Sequence, residues 1–387
     1  MFFSRSVLLS VLSTAAFLAG CSSSSAPQSA ETKTAAPAPA KPEIPPGLPG
    51  MPPVTDPSDI YAADHAGNLS PVVQNFPSRV YVPNSDSNTV DIIDPATFKI
   101  IKHFAVGHQP QHVVPSWDLR HLWVLNDLGD SITEIDPMTG EKGKTIPVQD
   151  PYNMYYTPDG KFAIVVAEAQ ARLDFRDPET WKVVDSVKVP CKGVDHMDFT
   201  SDGRFLIASC EFSALLVKVD VAAHKLVGTL SLEKGGMPQD VKTAPDGKIF
   251  YVADMVANGI YMIDPDTFTR VGFLPTGKGT HGLYVSRDSK SLYVSNRLEG
   301  SISVIDLATR KQAAKWMIPG GGSPDMGGVS ADGKQLWLSG RYNAEVYVFD
   351  TETGNLLARI KVGKGPHGLC VYPQPGRYSL GHTGVFR

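Results

Sequence analysis

Along most of the chain, apolar runs of four to six residues alternate with polar turns, and the alternation itself repeats. One unit reads YVPNSDSNTVDIIDP at Tyr81–Pro95: an apolar stretch ending in Asn, a turn, a second apolar run, then Asp-Pro. It returns as WVLNDLGDSITEIDP (Trp123–Pro137), YVADMVANGIYMIDP (Tyr251–Pro265) and YVSNRLEGSISVIDL (Tyr293–Leu307). Runs this short, rich in Val, Ile and Tyr and bounded by Asn, Asp and Gly, read as strands. The Asp that closes the second run recurs at Asp94, Asp136, Asp177, Asp220, Asp264, Asp306 and Asp350, at intervals of 41 to 44 residues. The end of the preceding run keeps step at Asn84, Asn126, Glu168, Cys210, Asp254, Asn296 and Gly340. A period of about 40–45 residues with several strands per repeat predicts a β-propeller.

Each repeat divides into four strands, a to d. In the repeat from Asp150 to Asp195, strand a falls near Met154–Tyr156 and strand b at Phe162–Ala167. Strand c falls near Arg172–Phe175 and strand d near Val183–Val189. The a–b turns recur as Pro-Asp-Gly or a close variant at 158–160, 201–203, 245–247 and 331–333, where Gly supplies the positive φ of a tight hairpin. Ser116–Leu119 and Arg287–Ser289 lack the Gly, so looser hairpins are expected there. The first repeat begins at strand b (Arg79–Pro83), and the last segment, Gly368–Tyr372, is a strand a without a blade. The expected fold is therefore all-β: a seven-bladed propeller in which the C-terminal strand a completes the N-terminal blade, removing free sheet edges.

Composition agrees and adds little: 35 Gly, 31 Pro and 20% charged residues in 387, with a net charge of −4, suit a turn-rich β protein. No basic block or aromatic-interleaved basic stripe appears, so no nucleic-acid partner is expected.

The N-terminus changes the picture more. Arg5, an apolar core from Val7 to Leu18, and Leu18-Ala19-Gly20-Cys21 read as a signal peptide over residues 1–20, too short for a membrane span. The small residues before Cys21 resemble a bacterial lipobox, which implies acylation of that Cys and a bacterial membrane anchor, on the periplasmic or cell-surface side. An ordinary export signal is the alternative. Residues 21–57 are dominated by Pro, Ala and Ser and read as a disordered linker, leaving 58–387 as the propeller domain. An exported domain permits a disulfide. Cys191, before a strand a, and Cys210, at the end of the next strand b, lie at the same end of one blade. A disulfide and a pair of thiolate ligands near His196 both fit. Cys370 falls in a channel-lining strand.

The repeats YVPN, YVAD and YVSN, followed by Ile-Asp-Pro and the next Pro-Asp-Gly, resemble the YVTN-type β-propeller repeats of exported bacterial and archaeal proteins. The likeness covers residues 79–372 and implies the propeller fold. More distantly the pattern is similar to the haem d1-binding propeller of cytochrome cd1 nitrite reductases. That kinship implies eight blades, against seven counted here, and no Cys-x-x-Cys-His haem attachment motif is present.

Topology places the candidate chemistry. The ends of the b strands and the segments just before strand a share one face, whereas the Pro-Asp-Gly and Ile-Asp-Pro turns occupy the other. Seven residues before each a–b turn Asp, or its equivalent, stand Gln111, Tyr152, Asp195, Gln239, His281, Asp325 and His367. The next residues are His112, Asn153, His196, Asp240, Gly282, Met326 and Gly368. The candidate ligand-binding set at this channel mouth is His112, Asn153, Asp195, His196, Gln239, Asp240, His281, Asp325 and His367, with Arg341 on the rim. His with carboxylates suits a transition metal, while polar residues that merely solvate a wet channel are the alternative. Arg297, Arg341, Lys278 and Lys364 are either an anion-attracting rim or solvated charge. No Gly-x-Ser-x-Gly elbow or other catalytic signature appears, so no catalytic residue is assigned. Segments 60–71 and 376–387 exceed the repeat and would cap the channel, bringing His65 and His382 to it.

The expected function is an exported, lipid-anchored, monomeric binding or interaction module for a small ligand or an envelope protein. The alternative is a haem- or metal-dependent oxidoreductase, or a lactonase-like enzyme.

Overall fold

The computed structural model describes residues 47–382 and 384–387; the expected signal peptide, Cys21 and the linker up to residue 46 lie outside them. The strands form seven four-stranded antiparallel sheets, the blades of a propeller. The innermost strands of blades 2 to 7 are Pro110–Pro115, Asn153–Tyr156, Val194–Phe199, Pro238–Thr243, Thr280–Val285 and Pro324–Val329. Blade 1 is composite: Cys370–Tyr372 is its inner strand and pairs with Arg79–Asn84 through Arg79↔Tyr372, Val80↔Val371 and Tyr81↔Cys370. The two ends of the repeat array thus close the ring. Inner strands such as Pro110–Pro115 are buried throughout, whereas outer strands such as Lys225–Ser231 alternate exposed and half-buried. That gradient is why the middle strands read as continuous apolar runs and the outer ones do not. Among the described residues no helix is long and apolar enough to cross a membrane.

The turns follow from local chemistry. Gly160, Gly203, Gly247 and Gly333 take φ of 68–78° in the a–b hairpins. Leu119 (φ 66°) and Ser289 (φ 57°) adopt the same conformation without Gly, and their amides make the same turn bond, to Ser116 and Ser286 at 3.0 and 2.9 Å. Those two hairpins are not looser; the left-handed residue costs about 1 kcal/mol and the turn keeps its shape. At the other hairpin, the Asp of Ile-Asp-Pro caps its own turn: Asp264 Oδ1 accepts the amides of Asp266 and Thr267 at 2.9 Å. The Asn end is also structural. Asn126 Nδ2 donates to Ser131 and Thr133, and Asn296 Nδ2 to Ser301 and Ser303, bracing strand b against strand c. The linker glycines lie on these amides: a Cβ on Gly107, Gly277 or Gly363 would stand 2.5–2.6 Å from an Asn Cγ. In blade 3 the equivalent position is Ala167, paired with Arg172 as Asn84 is with Thr89. Glu168 therefore stands one residue beyond the repeat marker, in the turn.

Cys191 and Cys210 are joined by a disulfide across a separation of 19 residues, which excludes them as thiolate ligands. Cys370 is a free, buried thiol whose pKa burial pushes up.

Both ends of the domain pack on the face of the Pro-Asp-Gly turns. Leu48 is buried and its amide bonds Asp202 O at 2.8 Å; Ile60 N bonds Pro245 O at 2.8 Å. The linker expected to reach residue 57 thus gives way to packed chain by residue 48. From the C-terminal side, residues 376–382 and 384–387 fold back on one another (Leu380 N to Val385 O, Arg387 N to Tyr378 O) and bond Trp117 O and Met154 O. This plug is latched by a buried ion pair, Arg387 to Asp198 at 3.0 Å. His65 does not enter the channel; it bonds Asp59 at 2.8 Å on the turn face.

Asp64, beneath the plug, is buried with Oδ1 unpartnered. Burial pushes its carboxyl up to about 7, against the opposing pull of Arg287 and Arg387. A folded pKa above the unfolded one contributes stability that is fully present below the unfolded value and lost as pH rises through about 7. Asp64→Asn, neutral at every pH, is expected to gain about 2–3 kcal/mol on the parent between pH 5 and pH 8. Urea unfolding at the two pH values checks this; an offset that does not change with pH refutes it.

Candidate functional site

Seven of the candidate residues sit at an irregularity of an inner strand, whereas Asn153 lies in a regular pairing, His367 precedes Cys370–Tyr372 and Arg341 opens a b–c turn. In blade 4, Val194 pairs with Cys210 and Met197 with Ala208, so strand a carries one residue more than strand b between these pairs. Asp195 and His196 occupy this bulge. The same register shift places Gln239 and Asp240, His281 and Gly282, and Asp325 and Met326 in blades 5 to 7, and Gln111 beside His112 in blade 2. A bulge twists the strand locally and re-aims its side chains; repeated around the ring, it concentrates polar groups at one level of the channel. Gly282 and Gly368 serve packing there: a Cβ would stand 2.4 Å from Tyr284 Oη at Gly282, and 2.1 Å from His112 Cδ2 at Gly368.

These groups are not at an open mouth. His112, Asn153, Asp195, His196, Gln239, Asp240, His281, Asp325 and His367 are all at most 5% exposed. Arg341 is half-buried at the rim, where Nη1 bonds Ser85 Oγ at 3.1 Å. The set divides into two clusters.

The first is centred on Asp325. Its Oδ1 accepts from Arg297 Nε at 2.9 Å and lies 3.1 Å from His281 Nδ1, and its Oδ2 accepts from His367 Nδ1 at 2.7 Å. Burial pushes the Asp325 carboxyl up, but Arg297, His281 and Arg341 outweigh it and hold it below the usual range. Arg297 Nη2 also contacts His281 Nε2. Arg297, one of the four charges read as rim, is therefore an internal counter-ion and only 8% exposed.

The second cluster is imidazole. His112, His196 and His382 each bring a ring nitrogen within 4.8 Å of the others. His382 arrives from the plug, and Asn153 Nδ2 lies 3.0 Å from His196 Nδ1 and 3.1 Å from His382 Nδ1. Tyr155 stacks on His382 at 5.6 Å. Burial drives the pKa of His112 down to about 4 and lowers those of His196 and His382 well below the ordinary value. The rings are neutral at physiological pH. With rings this closely packed (4.8 Å between the His196 and His382 centroids), a haem-sized macrocycle has no room at this level.

Above both clusters the rim is charged in halves. The residue opening each b–c turn is Asp127, Glu168 and Glu211 in blades 2 to 4, and Arg297 and Arg341 in blades 6 and 7. Burial and mutual repulsion push Asp127 up to about 6 and Glu168 to about 7, and Asp195 rises well above the carboxylate range. Both Asp195 oxygens are buried without a well-aligned hydrogen bond: Oδ1 is 3.1 Å from its neighbour His196 Nε2, and the Tyr152 hydroxyl beside the carboxyl pulls against the effect of burial. The next turn residue is a large, exposed apolar side chain in five blades: Leu128, Phe212, Val256, Leu298 and Tyr342, 53–64% exposed.

Fold and site together define a seven-bladed propeller with a plugged channel, a buried histidine and carboxylate centre, and a charged, apolar-tipped rim. Residues 50–376 match the YNCE-like β-propeller family, and the chain belongs to it. No curated protein matches the chain. Among solved structures it is similar to Kuenenia stuttgartiensis hydrazine synthase (20% identity, TM-score 0.62, 73% of this chain and 98% of that one). It is similar also to a functionally unknown protein from Desulfotomaculum acetoxidans (16%, 0.65, 76% and 98%). A third is the dihydro-haem d1 dehydrogenase NirN in complex with DHE (16%, 0.59, 83% and 82%). At these identities the likeness is one of fold.

Proposed function

We propose that this chain is an exported, lipid-anchored binding module that takes a small polar ligand at the channel mouth. The observation that carries it is the divided rim above Asp195, whose two oxygens are buried without a well-aligned hydrogen bond. A buried acceptor without a donor costs about 1–3 kcal/mol, so a ligand that donates there gains what the free protein forgoes. Carboxylates on one side and the Arg341 guanidinium on the other match a ligand bearing both a cationic and an anionic group.

The full chain, solubilised from membranes in mild detergent, is expected to release a small zwitterionic molecule detectable by native mass spectrometry. Arg341→Ala and Glu211→Ala should each lower its occupancy about tenfold, as expected for one charged hydrogen bond. Unchanged occupancy in both variants would overturn the reading. In the same cells Cys21→Ser should move the chain from the membrane pellet to the soluble fraction, because acyl chains supply the anchor. The exposed apolar side chains around the rim favour a second reading, a protein partner on this face. Loss of partner crosslinking in Phe212→Ser with small-ligand occupancy intact would select it.

A further inference from the structure

We propose that His112, His196 and His382 form a binding site for a single divalent transition-metal ion, zinc or copper, and that the ion clamps the C-terminal plug to blades 2 and 4. The site lies beneath the rim and adjoins it through Asp195, whose Oδ1 is 3.1 Å from His196 Nε2.

Three observations converge on it. The donors come from three separate parts of the chain, two inner strands and the plug, yet a nitrogen from each lies within 4.8 Å of the others. Tetrahedral coordination at about 2.0–2.1 Å places ligand nitrogens about 3.4 Å apart, so each needs to move by less than about 1 Å. Second, two of the rings hold a buried nitrogen that bonds nothing, His112 Nε2 and His196 Nε2. Third, the surroundings fix the His112 ring as a ligand-supporting group does: its Nδ1 donates to Tyr152 O at 2.9 Å, which leaves Nε2 as the lone-pair nitrogen. Asn153 Nδ2 faces His196 Nδ1 and His382 Nδ1 as a donor, so metal uptake turns this amide away, and Asp240 Oδ1 stands 3.9 Å from His382 Nε2 as a carboxylate at the edge of the cluster.

The donor set chooses the metal class. Three imidazoles with no thiolate suit zinc, copper or nickel rather than magnesium or calcium, which take oxygen ligands. Packing alone accounts less well for the arrangement. An apolar plug tip would fill the same space without leaving two buried nitrogens unpaired, which carries a desolvation cost.

The test uses the full chain in detergent, stripped with a chelator and titrated with Co2+ as a spectroscopic probe, then Zn2+. The expected result is one Zn2+ per chain by elemental analysis, the visible bands of tetrahedral Co2+, and a raised melting midpoint on metal addition. His112→Gln, His196→Gln and His382→Gln should each abolish the Co2+ bands and weaken Zn2+ binding at least tenfold, with circular dichroism reporting that the variants remain folded. His103→Gln and His121→Gln, on exposed rings, should change neither. Arg341→Ala separates this site from the rim: metal uptake should persist whether or not the rim ligand is lost. A folded parent that takes up no Zn2+ at micromolar concentration, or uptake that survives all three substitutions, overturns the proposal.

Discussion

Asp325→Asn is expected to destabilise the protein by about 3–5 kcal/mol, the cost of leaving one member of a buried ion pair unmatched. The Asp325 side chain is fully buried and the Arg297 side chain is 9% exposed, so water cannot replace the missing charge. The loss is compounded because the same carboxylate orients His281 and His367. Arg297→Gln alone should be costly for the mirror-image reason, an unpaired carboxylate. The double variant should cost less than the sum, because neither charge is then left alone; residues in one network couple by about 0.5–3 kcal/mol. Urea unfolding with an unchanged slope reads the effect as stability rather than a changed unfolded state. A loss below about 1 kcal/mol for Asp325→Asn would mean that solvent reaches the pair.

Arg297 also shows where the sequence stopped being readable. Its turn position is half-buried in the neighbouring blades, at Met255 and Arg341, and nothing local separates a solvated Arg from one folded inward to Asp325. The distinction is tertiary, set by a carboxylate in the next blade. The bulge residues were legible for the opposite reason. Each lies six or seven residues before the a–b turn Asp or its equivalent, so the repeat itself locates His112, His196, His281 and His367. What the repeat could not say was their depth: the plug and the linker glycines cover them, turning an expected mouth into a buried floor.

His382 lies outside the period, so it could be named only as a capping residue, not paired with His112 and His196. Glu168 shows the reverse error. A spacing of 42 residues from Asn126 fits the marker perfectly, yet strand pairing puts Ala167 in that place. Spacing is blind to a one-residue slip when loops vary in length. The linker boundary failed because Leu48 is a lone apolar residue among Pro and Gly, too sparse a signal for packed chain.

Closure of the ring carries the largest expected effect. Ending the chain after Leu369 removes Cys370–Tyr372, the inner strand of blade 1, together with the plug. Val371 and Tyr372 are at most 2% exposed and pack in two different inter-blade clusters, one with Trp337 and Val80, the other with Val113 and Val124. Losing three such side chains forfeits about 5–8 kcal/mol of burial, against a typical total stability of about 5–15. It also bares Arg79–Asn84 as an unpaired edge, a template for association. Such a chain is expected to lose its cooperative melt and to elute as aggregate. Ending the chain after Tyr372 instead removes the plug but keeps the closing strand. The ring should then still melt cooperatively, at a lower midpoint, because the Arg387–Asp198 latch and the His382 contacts are gone while Tyr81↔Cys370 pairing remains. The comparison isolates three residues. If the two truncations behave alike, stability resides in the plug and not in the composite blade; if the shorter chain stays monomeric and cooperative, the C-terminal strand is not what holds the ring shut.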